Sequence, residues 1–194
     1  DMEARGLITK IDPDYRHNIA VCYKCGTIIE PLIIPQWYVA MTKALPDGRP
    51  SLRDMAVNAV KSGKVLFVSK KFENLFMHWM ENLRDWPISR QLWWGIPIPA
   101  WYRDNEISIG ENAPEGAGWK QDQDTFDTWF SSGQWPYATL HALGGKDFAT
   151  FFPTQVMETG WDIIFFWVAR MIMFSYYRTE KPPFETVFLH GLIR

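Results

Sequence analysis

The five residues from Thr159 to Ile163 carry chemical groups suited to binding a nucleotide or a small charged ligand. They stand in the order Thr-Gly-Trp-Asp-Ile, after a predicted strand and at the start of a predicted helix. Ligands of open parallel sheets bind outside the carboxyl ends of the strands. Gly160 permits a close approach because it has no Cβ atom, and the helix start offers free N–H groups. Asp162 can accept hydrogen bonds from a ribose or an ammonium group, although an acid in this position is also an ordinary helix-start residue.

A second candidate is the pair His190-Gly191, which follows the last predicted strand of the chain. A histidine and a glycine at the carboxyl end of a strand suit a loop that faces a nucleotide. The alternative is a histidine with a purely structural hydrogen bond. The residues around it do not decide between these two hypotheses.

Cys22 and Cys25 have the spacing of one half of a zinc knuckle, and Gly26 permits the turn. Structural zinc takes four ligands, and the chain contains no further cysteine. His17 is a possible third ligand. The sequence therefore predicts either a structural zinc site completed by residues upstream of residue 1 or a relic that binds no metal.

Aromatic residues make up 16% of the chain, and eleven of them are tryptophan. A tryptophan needs deep apolar contact and a partner for its N–H group, so this content indicates a large core, an aromatic pocket or both. Taken one at a time, Trp93, Trp94, Trp129 and Trp167 are predicted to lie in the core. Neither a Ser-His-Asp triad nor a phosphate-binding loop is recognisable.

The formal net charge of −2 provides no general basic field for gripping nucleic acid. The 47% hydrophobic content is typical of a globular protein rather than a disordered one. The most apolar run, residues 161–177, contains Asp162 and Arg170 and is short for a membrane span. We interpret it as a buried helix rather than a membrane helix. With no recognisable signal peptide, a cytoplasmic location is expected.

The first fifty residues are predicted to be rich in β-structure, because prolines exclude long helices there. The predicted strands are Leu7–Ile11, Ile19–Cys22, Thr27–Ile34 and Gln36–Met41. From residue 51 the pattern changes to helices and strands, with a polar, exposed excursion at 103–124. The predicted elements are a helix from an N-cap at Ser51 to about Ser62, a strand at Val65–Val68, a helix at Lys70–Asp85 and a buried strand at Ile88–Trp94.

The last forty residues predict a strand, a turn, a buried helix over 161–178 and a final strand over Phe184–Ile193. A βαβ unit of this kind indicates a parallel sheet and an α/β fold.

Several segments together resemble the valyl-tRNA synthetase family of class I aminoacyl-tRNA synthetases, and they occur in the family's order over nearly the whole chain. The segments are AVCYKCGTIIEPLIIPQWYV (20–39), WMENLRDWPISRQLWWG (79–95), IPAWY (98–102), DTWFSSGQWPYAT (127–139), TGWDIIFFWVARMIM (159–173) and HGLIR (190–194).

This resemblance implies the second half of a Rossmann-like catalytic domain, residues 51–194, preceded by the exit of an editing insertion in residues 1–50. Trp129, Ile163 and Trp167 would line the valine pocket. The remaining matched positions would face the adenylate, and they are Thr159, Gly160, Asp162, His190, Gly191 and Leu192. The implied chemistry is activation of valine by Mg·ATP to valyl-adenylate and its transfer to tRNA(Val), with no catalytic side chain assigned in this chain.

The sequence also departs from the family pattern. His-Ile-Gly-His and Lys-Met-Ser-Lys-Ser, the family's two ATP signatures, are absent from these 194 residues. Pro87 stands where the family often has cysteine, and Ile96-Pro97 replaces a more usual His-Arg. Without the first half of the catalytic domain, the isolated chain is expected to be inactive. Two alternatives stay open, namely a non-catalytic module that binds RNA or a protein partner and a fragment of an isoleucyl-type synthetase.

Overall fold

The chain divides into two units, Asp1–Pro35 and Gln36–Arg194. The computed structural model describes residues 1–22, 25–142 and 145–193. Within the described part of the smaller unit, the strand pairing is a single antiparallel bridge between Val21 and Ile28.

The β-rich character predicted for this smaller unit is therefore wrong in detail, since the strands at Leu7–Ile11, Ile19–Cys22 and Thr27–Ile34 are not formed. Their β-forming side chains stay exposed, with Leu32 at 79% and Ile11 at 65%. A two-stranded ribbon without an apolar surface beneath it gains too little burial to extend.

The larger unit contains the regular elements of the described chain. Its strands are β1 (Tyr38–Val39), β2 (Leu66–Phe67), β3 (Trp86–Pro87), β4 (Ser89–Arg90), β5 (Ala100–Arg103), β6 (Glu106–Ile109), β7 (Lys120–Gln121), β8 (Thr125–Phe126), β9 (Thr154–Gly160) and β10 (Phe184–His190). Its α-helices are α1 (Leu52–Lys61), α2 (Lys70–Glu81), α3 (Thr128–Ser132), α4 (Trp135–Ala142), α5 (Lys146–Phe151) and α6 (Arg170–Thr179).

A parallel sheet in the order β2-β10-β9 organises this unit. The register pairs Thr186 with Leu66 on one side and with Val156 on the other. The chain between β9 and β10 is helical, so the predicted βαβ unit and the predicted α/β class are confirmed. The carboxyl ends of β9 and β10 consequently lie side by side.

The core forms where α6 packs against α1 and the sheet. Met171, Ile172 and Met173 are fully buried, and Phe184 and Val187 of β10 are 1% exposed. Burying side chains of this size stabilises the fold by about 1.5–3 kcal/mol each. This core holds β9 and β10 in place beneath the helical segment that joins them.

Helix α1 begins where the sequence predicts it. Ser51 accepts a hydrogen bond of 3.1 Å from the backbone N–H of Asp54, and its hydroxyl donates one of 2.7 Å to the Asp54 carboxylate. These bonds satisfy a backbone donor that the first helical turn cannot satisfy itself. The hydrogen bond from the Ser51 hydroxyl, followed by one from Arg53, lowers the pKa of the Asp54 carboxyl.

The polar excursion forms a small antiparallel sheet in the order β6-β5-β7. Asp122 joins it to the segment before β1. The carboxylate accepts hydrogen bonds from Trp37 Nε1 at 2.8 Å and from the Tyr102 hydroxyl at 2.6 Å.

The buried strand predicted at Ile88–Trp94 is wrong beyond its first residues. Only β4 pairs with a neighbouring strand, β8. Trp93 and Trp94 are 97% and 89% exposed, so their predicted place in the core is also wrong. The described part of the chain places no apolar surface over the loop that carries them.

The run over residues 161–177 lies within the larger unit as helix. Among the described residues, no helix is long and apolar enough to cross a bilayer.

Candidate functional site

The predicted site residues of β9 and β10 meet at one edge of the parallel sheet. Gly160 is the last residue of β9 and pairs in register with His190, the last residue of β10. Thr159 is buried beside Leu189 in the adjacent pair. Because both strands run in the same direction, the loops that follow them leave the sheet together, at the edge where open α/β sheets bind ligands.

Gly160 has a specific steric role at this edge. A methyl group on its Cα would lie 2.5 Å from Oδ1 of Asp162 and 3.6 Å from Cδ2 of Leu192. The Asp162 carboxylate therefore lies over the end of β9, while its side chain remains exposed to solvent. The structure thus brings together Gly160, Asp162 and Leu192, three residues predicted for the same surface.

His190 is exposed at the end of β10 and has two polar contacts. Its Nδ1 lies 2.7 Å from the carbonyl oxygen of Gly191, and its Nε2 lies 3.2 Å from Oε1 of Glu158. Glu158 was not predicted from the sequence. The available indication was its position two residues before Gly160, since alternate residues of a strand share one face.

The helical segment after Gly160 is less regular than the continuous helix predicted over 161–178. It begins with a 3-10 turn at Trp161–Ile163, widens into a π-helix at Ile164–Ala169 and becomes α-helical only in α6. The two changes in winding bury Ile164, Val168 and Ala169 while Phe166 stays 43% exposed. π-Helical turns of this kind are frequent at functional sites because they redirect neighbouring side chains.

The redirected aromatic side chains contact the segment that carries α3. Phe166 stacks on Trp129 with 5.7 Å between the ring centroids. Trp167 Nε1 donates a hydrogen bond of 3.0 Å to the carbonyl oxygen of Ser132. Trp129, Trp167 and Ile163 are all partly buried, so the predicted pocket residues lie on two segments that touch each other rather than deep in the core.

A cavity of about 470 Å³ lies beside this contact. Trp167 and Trp135 line it from the helices, and Met157 and Glu158 line it from β9. Its volume is within the range of small-molecule sites. It shares Trp167 with the predicted pocket, but neither Trp129 nor Asp162 belongs to its wall.

Arg170, the first residue of α6, is a buried charged residue. Its side chain is 5% exposed, and its guanidinium lies 3.5 Å from the centroid of the Trp86 ring. Within the described residues, Nε and Nη1 have no hydrogen-bond partner. Burial lowers the pKa of Arg170 to about 10, opposed by the nearby carboxylate of Asp127.

Cys22 and Cys25 lie in the smaller unit, beside the single bridge. Cys25 Sγ lies 3.2 Å from Thr27 Oγ1, and hydrogen bonds from the side chain and backbone of Thr27 to the sulfur lower the pKa of that thiol. His17 stacks on Tyr15. No group of three or more metal-binding side chains occurs among the described residues. The two thiols alone do not fit a four-ligand zinc site, so zinc at this position stays a prediction.

Comparison with known proteins gives similarity over the whole chain. The family model described as tRNA synthetases class I (I, L, M and V) matches residues 7–117 and 110–194. The chain is 46% identical over 203 residues to the valine–tRNA ligase of Symbiobacterium thermophilum, and 46% identical over 200 residues to that of Bacillus licheniformis. All of this chain is covered in both cases, but only 21% and 22% of those proteins.

Solved structures show the same fold at low sequence identity. The Mycobacterium tuberculosis methionyl-tRNA synthetase bound by methionyl-adenylate matches with a TM-score of 0.57 and 13% identity, over 89% of this chain and 29% of that one. The free state of that protein matches with a TM-score of 0.54. This chain therefore spans about a fifth of the length of the curated relatives that it matches.

Proposed function

The chain belongs to the class I tRNA synthetases, and we propose that it forms the amino-acid and nucleoside side of the active site of a valine–tRNA ligase. The family predicted from the sequence motifs is thereby confirmed. The relatives that share 46% of its residues are valine–tRNA ligases, which supports valine rather than isoleucine as the substrate of the whole protein.

The proposed reaction has two steps. The carboxylate of valine attacks the α-phosphate of Mg·ATP, which releases pyrophosphate and leaves valyl-adenylate. A terminal ribose hydroxyl of tRNA(Val) then attacks the acyl carbon and releases AMP. Such chemistry depends on positioning and on charge stabilisation, which agrees with the exposed polar groups of Asp162 and His190 at this site. Mg²⁺ would enter as the complex with ATP.

The observation that carries this proposal is the pairing of Gly160 with His190, next to the contact between Phe166 and Trp129. The strand ends would hold the adenylate, and the aromatic contact would hold the side chain of the amino acid. Gly160 ends β9 and Phe166 lies in the helical turns that directly follow that strand, which supports a single ligand with a nucleoside end at the strand ends and an apolar end at the aromatic contact.

In the adenylate half, Gly160 would let the ligand approach the backbone, and the Asp162 carboxylate would accept hydrogen bonds from the ribose or the ammonium group. His190 would lie along the nucleotide, with Glu158 beside it. The further adenylate contacts proposed are Thr159, Gly191 and Leu192.

In the amino-acid half, Trp129, Ile163 and Trp167 would form the walls of the valine pocket. Rigid indole rings exclude the extra methylene of isoleucine by size. They cannot strongly reject threonine, whose hydroxyl replaces a methyl group of valine, a limit long recognised for valine-specific synthetases. The hydrogen bond from Trp167 to Ser132 would keep one wall in place.

Calorimetric titration tests the proposal. The 194-residue chain is titrated with the sulfamoyl analogue of valyl-adenylate, and with the isoleucyl analogue as the control. Binding of the valyl analogue at least about tenfold tighter than the isoleucyl analogue is expected, the effect of one methylene. Equal binding of both analogues contradicts valine as the substrate, and binding of neither contradicts a pocket formed by these residues.

A second measurement concerns activity. The isolated chain is expected to show no ATP–pyrophosphate exchange above background, because neither of the family's ATP signatures is present in it. Stabilisation of the transferring phosphate would then be missing. Exchange well above background by the pure chain contradicts this expectation.

A further inference from the structure

We propose that Asp127 is a positioning residue for the amino-acid pocket, because its carboxylate joins the helix that bears Trp129 to Trp86 of β3 and Arg90 of β4. This inference rests on the proposed function of Trp129 as a pocket wall. Asp127 does not touch the proposed ligand surface itself, since its side chain is buried at 7% exposure.

The two oxygen atoms of Asp127 have different partners. Oδ2 accepts hydrogen bonds from Trp86 Nε1 at 3.0 Å and from Arg90 Nη2 at 2.7 Å. Oδ1 accepts one of 3.1 Å from the backbone N–H of Trp129. The first pair fixes the rotation of the carboxylate, and the third bond uses that rotation to fix the first turn of α3.

Asp127 is thus the N-cap of α3, a helix of only five residues. So short a helix is not stable by itself, and its geometry depends on the groups that hold its ends. Trp129 is the second residue of this helix. A small change in the position of the cap therefore moves the Trp129 ring relative to Phe166, the ring on which it stacks.

The same carboxylate also acts on the segment that carries Trp167, through Trp86. The indole of Trp86 is 6% exposed and lies under the guanidinium of Arg170, which directly follows the π-helix. The Trp86 ring is held in plane by its hydrogen bond to Asp127. The buried carboxylate of Asp127 therefore affects the positions of both proposed pocket walls, Trp129 through α3 and Trp167 through Trp86 and Arg170.

The charge of Asp127 matters as well as its shape. Two arginines lie near it, namely the partly exposed Arg90 and the buried Arg170. Within the described residues, two nitrogens of Arg170 have no hydrogen-bond partner. Asparagine at position 127 would retain an oxygen for the Trp129 N–H but would leave these cations uncompensated. Removal of one partner from a buried charge pair leaves the other charge uncompensated.

Fluorine NMR of the 194-residue chain labelled with 5-fluorotryptophan tests this role directly. The resonance of Trp129 is assigned by its loss in Trp129→Phe. In Asp127→Asn, the Trp129 resonance is expected to shift or broaden, and the preference for the valyl over the isoleucyl adenylate analogue to fall about tenfold.

Asp122→Asn is the matched control. Asp122 also accepts a hydrogen bond from an indole, Trp37 Nε1 at 2.8 Å. It directly follows β7 of the small sheet β6-β5-β7. This variant is expected to change the Trp37 resonance. The Trp129 resonance and the preference for the valyl over the isoleucyl analogue should stay as in the unmodified chain.

A purely structural role for Asp127 predicts a different result. In that case Asp127→Asn lowers the denaturant midpoint while the Trp129 resonance and the analogue preference stay unchanged, and this outcome overturns the proposal. If Asp127→Asn does not fold, Arg90→Met removes one charged partner of the same carboxylate at a partly exposed position. An unchanged Trp129 resonance in Arg90→Met then overturns it equally.

The failure of this inference can be told apart from the failure of the proposed function. An unmodified chain that binds neither analogue contradicts the proposed function, while the Trp129 resonance of the Asp127→Asn chain still decides whether Asp127 positions the ring.

Discussion

The helical segment from Trp161 to Thr179 has two halves of different character. The first half, up to Ala169, is wound as a 3-10 turn and a π-helix, and several of its side chains are partly exposed. The second half is α6, in which the residues from Arg170 to Ser175 are all buried. The half that presents side chains to the proposed ligand is the irregular one, and the half that anchors it is regular.

This difference follows from what each half packs against. α6 lies against α1 and the sheet, so a regular helix presents a continuous apolar face to them. The first half must contact the core with Ile164 and Val168 while leaving Phe166 and Trp167 for α3 and its loop. The structure meets both demands with the wider turn of a π-helix over Ile164–Ala169.

The largest expected effect is a difference in the free energy of unfolding lost when a ring is removed from each half. Phe174→Ala in α6 is expected to lower the free energy of unfolding by about 3–5 kcal/mol, because a buried ring leaves a cavity. Phe166→Ala, at 43% exposure against 7% for Phe174, should cost only about 0.5–1.5 kcal/mol, the value of its stacking on Trp129. Guanidinium unfolding of both variants measures this, and equal losses would contradict the comparison.

A second prediction concerns the contact between α3 and α6. A methyl group at Gly133 would lie 2.8 Å from the Phe174 ring and 3.2 Å from the carbonyl oxygen of Trp129. Gly133→Ala is therefore expected to lower the unfolding free energy by about 1–3 kcal/mol through overpacking. Gly110→Ala, where the nearest atom is 3.7 Å away, is the control. No difference between the two in urea unfolding would show that this packing is loose.

A third prediction affects binding rather than stability. In Gly160→Ala, the new methyl group would displace the carboxylate of Asp162, whose side chain is exposed. The unfolding free energy should therefore change by less than about 1 kcal/mol. Affinity for the valyl-adenylate analogue should fall about tenfold, equivalent to about 1.4 kcal/mol. Calorimetry on both glycine variants, Gly160→Ala and Gly110→Ala, measures this. Unchanged affinity would remove Asp162 from the proposed site.

The smallest expected effect is a pH dependence of folding stability that arises from Tyr137, which lies near the regular half. Tyr137 is buried near Phe174 and Tyr177, and burial raises its pKa from 10.0 to about 12. The folded state therefore favours the neutral phenol. Its contribution to stability is complete below pH 10 and is lost as the pH rises towards 12.

Urea unfolding at pH 9, 10 and 11 should show a smaller loss in Tyr137→Phe than in the unmodified chain. If both chains lose stability at the same rate, the phenol of Tyr137 titrates normally, and the environment of the regular half is less protected than its burial indicates.

Local hydrogen bonding and short-range sequence patterns are sufficient to predict much of the fold. Ser51 was identified as the start of a helix because a hydroxyl before an apolar pattern caps the first turn. The βαβ order gave the parallel sheet, which in turn placed Gly160 and His190 at one edge. The family followed from whole segments of sequence rather than from any single residue.

Other features depend on contacts between distant segments. Trp93 and Trp94 have large apolar side chains of the kind found in protein cores, but nothing in residues 25–142 and 145–193 covers them. Glu158 became a site candidate only when the strand register placed it next to His190. No periodicity in the sequence predicts the π-helix, because its winding depends on the residues that each side chain contacts in the folded chain.

Asp127 shows most clearly where sequence and tertiary structure divide. The sequence by itself places an acid two residues before Trp129, within reach of that residue's backbone N–H. Only the tertiary structure decided that Trp86 and Arg90, about forty positions earlier, meet the same carboxylate. The physical reason is that capping is a local hydrogen bond, readable from spacing, whereas a buried charge is balanced by whichever cations the packed core brings to it.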